Sequence, residues 1–228
     1  LIYLSASPNA NPLFESVVFG TRGEWKVNSV TVDMMAGSAD PRLAVIAQLN
    51  DGDIYRGKPS GLVDVPNNDY NYTNVSAIGT FYLAAEAPGY YMSNAELQFL
   101  MAEAAQKGYI SGSAATYYNA GMTASFAANN GVNGADYMAA NTLSAPTALQ
   151  QIATENWKAL FAQGVESWTE QRRTGYPVLA PALQADLSQI PSRYNYPNIE
   201  SSINAANYSA AVAAQGADNL TTPLWWMN

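Results

Sequence analysis

Cysteine and histidine are both absent from this 228-residue chain. Without cysteine there is no disulfide framework, no thiolate nucleophile and no cysteine-ligated zinc. Without histidine, Ser-His-Asp and Cys-His catalysis are excluded, together with imidazole metal sites and the commonest general base. Basic residues are scarce: 10 Lys and Arg stand against 18 Asp and Glu, for a formal net charge of -8. Nucleic-acid binding needs a concentrated basic patch, and Arg172, Arg173 and Arg193 are too few to make one. No apolar run approaches the roughly 20 residues that cross a bilayer. The chain opens in mid-pattern, Leu1-Ile2-Tyr3-Leu4, without Met and without a basic-then-apolar signal. It reads as the C-terminal piece of a longer protein whose targeting segment or lipid anchor lies upstream.

Uncharged polarity is what the chain has in quantity. Only 12% of residues are charged, and 15 Tyr outnumber 6 Phe. The expected surface is dense in hydroxyl and amide groups, as in many secreted and cell-surface bacterial proteins. A compact chain of this length hides roughly 70% of its unfolded surface, so one domain with a real core is the expectation.

Two regions differ in texture. Residues 1–92 are rich in Gly, Pro, Asn and Asp and read as long loops with short elements. Val27 to Val32 alternates weakly, as a strand would. Ser16 to Trp25 has two glycines and no helical period, Asp40-Pro41-Arg42-Leu43 reads as a turn into a short element, and Asn67 to Asn74 is a polar, aromatic loop. Residues 93–228 read as a helical scaffold. Ser93 and Glu96 make a capping-box signature, followed by an apolar stripe of Leu97, Leu100, Met101 and Ala104 that Gly108 ends. Ser113 to Asn129 is a second helix, close enough to the first to form an antiparallel hairpin. Ala145 to Gln163 is a third, with Leu149, Ile152, Ala153, Leu160 and Phe161 near one face. Ala205 to Gln215 is a last helix, and the apolar tail Thr222 to Trp226 is expected to dock on the body.

The densest run of chemistry is Gly164 to Pro177. Helical spacing brings Glu166, Trp168, Glu170, Arg172 and Arg173 onto neighbouring positions, and Gly175 and Pro177 then stop the helix. About twenty residues later, Pro191-Ser192-Arg193-Tyr194-Asn195-Tyr196-Pro197 adds a rigid segment with a further arginine. The block can grip an anionic ligand; the plainer reading is that it locks the helix to that segment through ion pairs and arginine stacking on aromatics.

Taken in order, these stretches resemble the C-terminal half of the SusD/RagB family of Bacteroidetes surface lipoproteins. The resemblance rests on Asp40-Pro41-Arg42-Leu43, Tyr55-Arg56-Gly57-Lys58-Pro59-Ser60-Gly61, Ala95-Glu96-Leu97 with Ala102-Glu103-Ala104-Ala105, Tyr118-Asn119-Ala120-Gly121-Met122, Trp157 to Pro177, Pro191 to Glu200 with Asn204, and the closing Trp225-Trp226. It implies a mainly α fold of tetratricopeptide-like helix hairpins with long loop excursions and little β. It also implies capture of oligosaccharide or other nutrients for a TonB-dependent, SusC-like outer-membrane transporter, no cofactor, and a membrane link only through a lipid anchor outside this chain.

For such capture, flat rings on loops beside amides are the required chemistry: sugar C–H faces lie on rings, and hydroxyls bond to amides and acids. Trp25 (beside Glu24 and Lys26), Tyr55, Tyr70, Tyr72, Tyr90 and Tyr91 meet that description. Asn71 lies between Tyr70 and Tyr72, with Asn68, Asp69 and Asn74 close by. Ordinary packing of each ring onto the body is the alternative. Asn50-Asp51-Gly52-Asp53 offers hard oxygens for calcium but reads better as a tight turn. Two rival functions stay in view. A glycoside hydrolase needs two carboxylates about 5–10 Å apart; none of the 18 acids sits in a recognisable catalytic setting. A tetratricopeptide-type peptide binder needs a concave helical groove, which the aromatic, loop-rich first part does not favour.

Overall fold

The computed structural model describes residues 1–62 and 69–227, and among these the secondary structure is helical. Of the 67–74 loop, residues 67 and 68 lie outside the described residues. The loop-rich part holds a π-helical stretch, Phe14–Phe19, then α1 (Ser29–Gly37) and α2 (Leu43–Ile46). The helical part holds α3 (Asn94–Gln106), α4 (Ala114–Ala128), α5 (Ala135–Ala140), α6 (Ala148–Ala159), α7 (Gly164–Thr174), α8 (Glu200–Ile203) and α9 (Ala205–Gln215). Three isolated β-bridges, Lys26 with Ala77, Asn28 with Lys58 and Ala47 with Ile78, tie the loops together.

Local chemistry sets the helix ends where the sequence signals them. Ser93 Oγ accepts from the Glu96 N–H at 3.0 Å, and Glu96 Oε2 accepts from the Ser93 N–H at 3.4 Å, a complete capping box. Ser113 caps α4 in the same sense. Gly175 takes φ +75° behind α7, a left-handed closure that glycine adopts without a Cβ penalty.

Several expectations are corrected. Residues 29–32 are helical: the Asn28 side chain accepts from the Val30 N–H at 2.8 Å and starts α1, so of the expected Val27–Val32 strand only Asn28 makes a bridge. The Ser16–Trp25 stretch opens inside the π-helical turn. In α3 the buried positions are Ala95, Phe99 and Ala102, and Leu97 is exposed. The third helix is shorter than Ala145–Gln163, being a 3-10 turn followed by α6, and Leu149 faces solvent. In the tail, Trp226 packs near Arg172, but Trp225 is 84% exposed.

Two apolar cores result. One joins Phe99 of α3, Tyr118, Met122 and Phe126 of α4, Tyr137 of α5 and Ile152 of α6. The other joins Val27, Val32, Met35, Leu43, Ile46 and Ile78 under the loops. Between them lies a charged knot that the sequence did not announce. Arg42, fully buried, donates to Asp40 Oδ1 (2.9 Å) and Oδ2 (2.6 Å), to Glu155 Oε2 (2.6 Å) and to Ser125 Oγ (2.9 Å). Its guanidinium lies 5.1 Å from the Phe126 ring centre and 5.6 Å from that of Tyr137. Lys158 closes the knot, donating to Glu155 Oε1 (2.9 Å) and Tyr137 Oη (2.6 Å), while Tyr137 donates to Glu155.

Two cations and two carboxylates balance here. Burial alone raises the Asp40 and Glu155 carboxyls; attraction and hydrogen bonding from Arg42, with Lys158, outweigh it and leave both below the ordinary carboxylate range. A folded pKa below the unfolded one contributes stability above the unfolded value and loses it as pH falls through the folded value. Stability is therefore expected to be flat near neutrality and to fall below about pH 4, where unfolded Asp and Glu take up protons. Glu96, raised by burial, acts in the opposite sense. Chemical denaturation at several pH values checks this; undiminished stability under acid would contradict it.

Candidate functional site

The loop face is built from three extended segments in contact. The Lys58 N–H donates to Val27 O (2.8 Å) and the Ser29 N–H to Lys58 O (3.0 Å). A Cβ on Gly57 would stand 2.3 Å from Ser29 Cα, so only glycine lets the segments touch. On the third segment, the Ser76 N–H donates to Arg56 O (2.7 Å), and Ser76 O accepts from the Val27 N–H (3.0 Å). Each of the first two stretches buries one central residue. Val27 and Gly57 face inward, while Lys26, Asn28, Arg56 and Lys58 are on the solvent side.

The aromatic residues expected from the sequence divide into three places. Trp25 is 46% and Tyr72 is 60% exposed. Lys26 Nζ donates to Tyr72 O at 3.0 Å and stands 5.7 Å from the Tyr72 ring centre. The Arg56 guanidinium lies 4.4 Å from the Tyr70 ring centre, with Nη1 donating to Asp69 O at 3.2 Å. Asn71 Oδ1 accepts from the Thr73 N–H (3.1 Å), Thr73 Oγ1 (2.8 Å) and the Asn74 N–H (3.1 Å), which fixes the loop between the two tyrosines. Tyr55 is elsewhere: it packs on the core of Val27, Met35 and Ile46. Tyr90 stands at the rim of a cavity of about 390 Å³, with Tyr3, Phe81, Tyr82 and Tyr91. A second cavity, about 330 Å³, is lined by Trp25 and Trp157. The two share Leu13, Phe161, Ala162 and Gly164, so Trp25 and Tyr90 belong to adjoining hollows.

Asn50 Oδ1 accepts from the Gly52 (2.9 Å) and Ile54 (3.2 Å) N–H groups, the geometry of a tight turn. Among the described residues no group of acids is placed to hold a metal ion.

The Trp168–Arg173 block faces its own protein. Trp168 Nε1 donates to Pro191 O (3.1 Å), and Arg172 Nη1 to Ser192 O (2.7 Å). The Arg172 guanidinium lies 3.7 Å from the Trp168 ring centre and 5.1 Å from that of Trp226. Arg173 forks onto Glu103 of α3 (2.7 and 2.6 Å) and also donates to Glu170 (2.8 Å). Arg193 stacks on Tyr196 (4.9 Å) and pairs with Asp218 (3.4 Å). We expect Arg173→Ala to cost about 1–2 kcal/mol, discounted for partial exposure, with ligand affinity unchanged. Calorimetric melting beside a binding titration checks this; lost affinity at an unchanged Tm would reassign the block.

Residues 1–197 match the family model described as SusD-like, starch-binding associating with outer membrane. The chain belongs to the SusD-like family. No match was found among curated proteins. Solved structures with this fold include a chitin-binding SusD homolog from Flavobacterium johnsoniae, 26% identical with a TM-score of 0.82, over 99% of this chain and 54% of that one. A chitin-binding protein is 28% identical with a TM-score of 0.78, over 88% and 49%. A SusD homolog from Bacteroides uniformis ATCC 8492 is 25% identical with a TM-score of 0.81, over 100% and 57%. This SusD-like chain thus spans about half the length of the structures it resembles.

Proposed function

We propose that this chain is the C-terminal part of a single SusD-like domain that captures oligosaccharide at the cell surface without cleaving it. The captured glycan passes to a TonB-dependent, SusC-like transporter, and a lipid anchor outside this chain holds the protein at the outer membrane. One observation carries the choice of surface: Tyr70 and Tyr72 are each steadied by a cation, with the Tyr72 ring 60% exposed. Rings fixed in advance cost little ordering on binding. Capture for transport needs only weak affinity, and about -4 kcal/mol gives millimolar binding, within reach of two stacked rings and a few hydrogen bonds. The family description and two chitin-binding relatives support a glycan ligand. Asp40, Glu155, Glu103, Glu170 and Asp218 are engaged in ion pairs, which takes these five out of the running as hydrolase carboxylates.

The test is calorimetric titration against starch, chitin and other oligosaccharides, with chromatography of the mixtures for products. Saturable binding with the sugar intact supports capture. Shortened products would move the protein to the hydrolases, and silence across the panel would remove glycans as its ligand.

A further inference from the structure

Ten basic residues serve this acidic chain, and most are neutralised inside it. Arg22, Arg42, Lys107, Lys158, Arg173 and Arg193 all form ion pairs with carboxylates. Arg172 is held between Trp168 and Trp226. The remaining three are Lys26, Arg56 and Lys58, and among the described residues none of them forms an ion pair. The bridge between Asn28 and Lys58 sets the segments that carry all three side by side. Extended chain alternates its sides, and the inward positions are taken by Val27 and Gly57, so the three cations share the solvent side of the paired segments. Tyr70 and Tyr72 lie against two of them.

Like charges gathered without an ion pair repel one another. Burial lowers the Lys26 ammonium pKa and the Lys58 charge adds to this, against an opposing pull from Asp51. Asp69 gives Arg56 its backbone carbonyl. A neutral sugar offers these donors only hydroxyl oxygens, which leave the charges unpaired. A sugar carrying a carboxylate pairs them: the acid takes the charge-assisted hydrogen bonds, while the ring's C–H face lies on Tyr72 or Tyr70. A linear uronic-acid oligomer repeats its acid along the chain and so offers several cations a partner at once.

Resting on the glycan reading above, we propose that Lys26, Arg56 and Lys58 select acidic oligosaccharides, with uronic-acid carboxylates seated beside the Tyr70–Tyr72 face.

The chain is titrated with oligogalacturonate, alginate and chondroitin oligomers, each against its own carboxyl-reduced form. At least one acidic oligomer is expected to bind about tenfold tighter than its reduced partner, the worth of one charge-assisted contact. That preference shrinks when salt is raised from about 50 to about 500 mM. It also disappears in Lys26→Gln/Lys58→Gln, with Arg56→Gln as the second variant should the double one melt early. Equal binding of every acidic and reduced pair overturns the proposal, as does a preference that survives in a folded variant. If starch or chitin oligomers bind while no acidic oligomer beats its reduced form, this inference alone falls. If no sugar of any kind binds, the glycan reading falls with it.

Discussion

Arg42→Ala is expected to be the most damaging single truncation in the molecule. It removes the cation that satisfies Asp40 and Glu155 in a region closed to water. Breaking one partner out of a buried ion network costs about 3–5 kcal/mol, because the remaining charges stay desolvated. For a chain of this size that is a fall in Tm on the order of 10 °C. Arg42→Lys is expected to recover little. A single ammonium cannot reach Asp40, Glu155 and Ser125 in the geometry of the planar fork. The informative companion is Arg42→Met with Asp40→Asn. This pair removes one charge of each sign and leaves Lys158 with Glu155, so it should melt above Arg42→Ala despite carrying two changes. Thermal melting of the three variants decides it. A Tm for Arg42→Ala close to that of the parent chain would sink the view that the knot is sealed from solvent.

The same knot explains what the sequence could and could not reveal. Helix ends were legible because their causes are local: Ser93 and Glu96 cap each other within one turn, and Gly175 closes α7 on its own. The buried side of α3 was not legible. Leu97, Leu100 and Met101 outweigh Ala95 and Ala102 in hydrophobicity, yet α4 approaches through Gly121, where a Cβ would stand 2.7 Å from the Phe99 ring. Close helix contact selects small residues, and a count of apolar side chains does not register that. Arg42 meets Glu155 across 113 residues, and no local pattern encodes such a pairing. The 29–32 stretch went the other way: β-branched Val30, Thr31 and Val32 alternate like a strand, but the Asn28 cap and burial of Thr31, Val32 and Met35 settle it as helix. In the loops, Trp25, Tyr70 and Tyr72 were visible as residue types. The cations against Tyr70 and Tyr72 became visible only in the folded arrangement of these segments.

Trp25→Ala and Tyr72→Ala are expected to do the reverse of Arg42→Ala. Each leaves Tm nearly unchanged, because the rings are about half exposed. Each weakens glycan binding by roughly tenfold, the equivalent of about 1.4 kcal/mol and within the range of a well-placed ring contact. Tyr55→Ala supplies the internal contrast. Tyr55 packs on the Val27–Met35–Ile46 core, so its loss should lower Tm while the folded fraction still binds. The double variant Trp25→Ala/Tyr72→Ala separates two arrangements of the sugar. Rings that contact independent residues of one glycan give additive losses, whereas rings that close on the same residue give a shortfall from additivity. Titration and melting of all four proteins supply the numbers. Should Trp25→Ala fall in Tm with binding intact, Trp25 belongs to the wall it shares with Trp157, and the capturing surface contracts to Tyr70 and Tyr72.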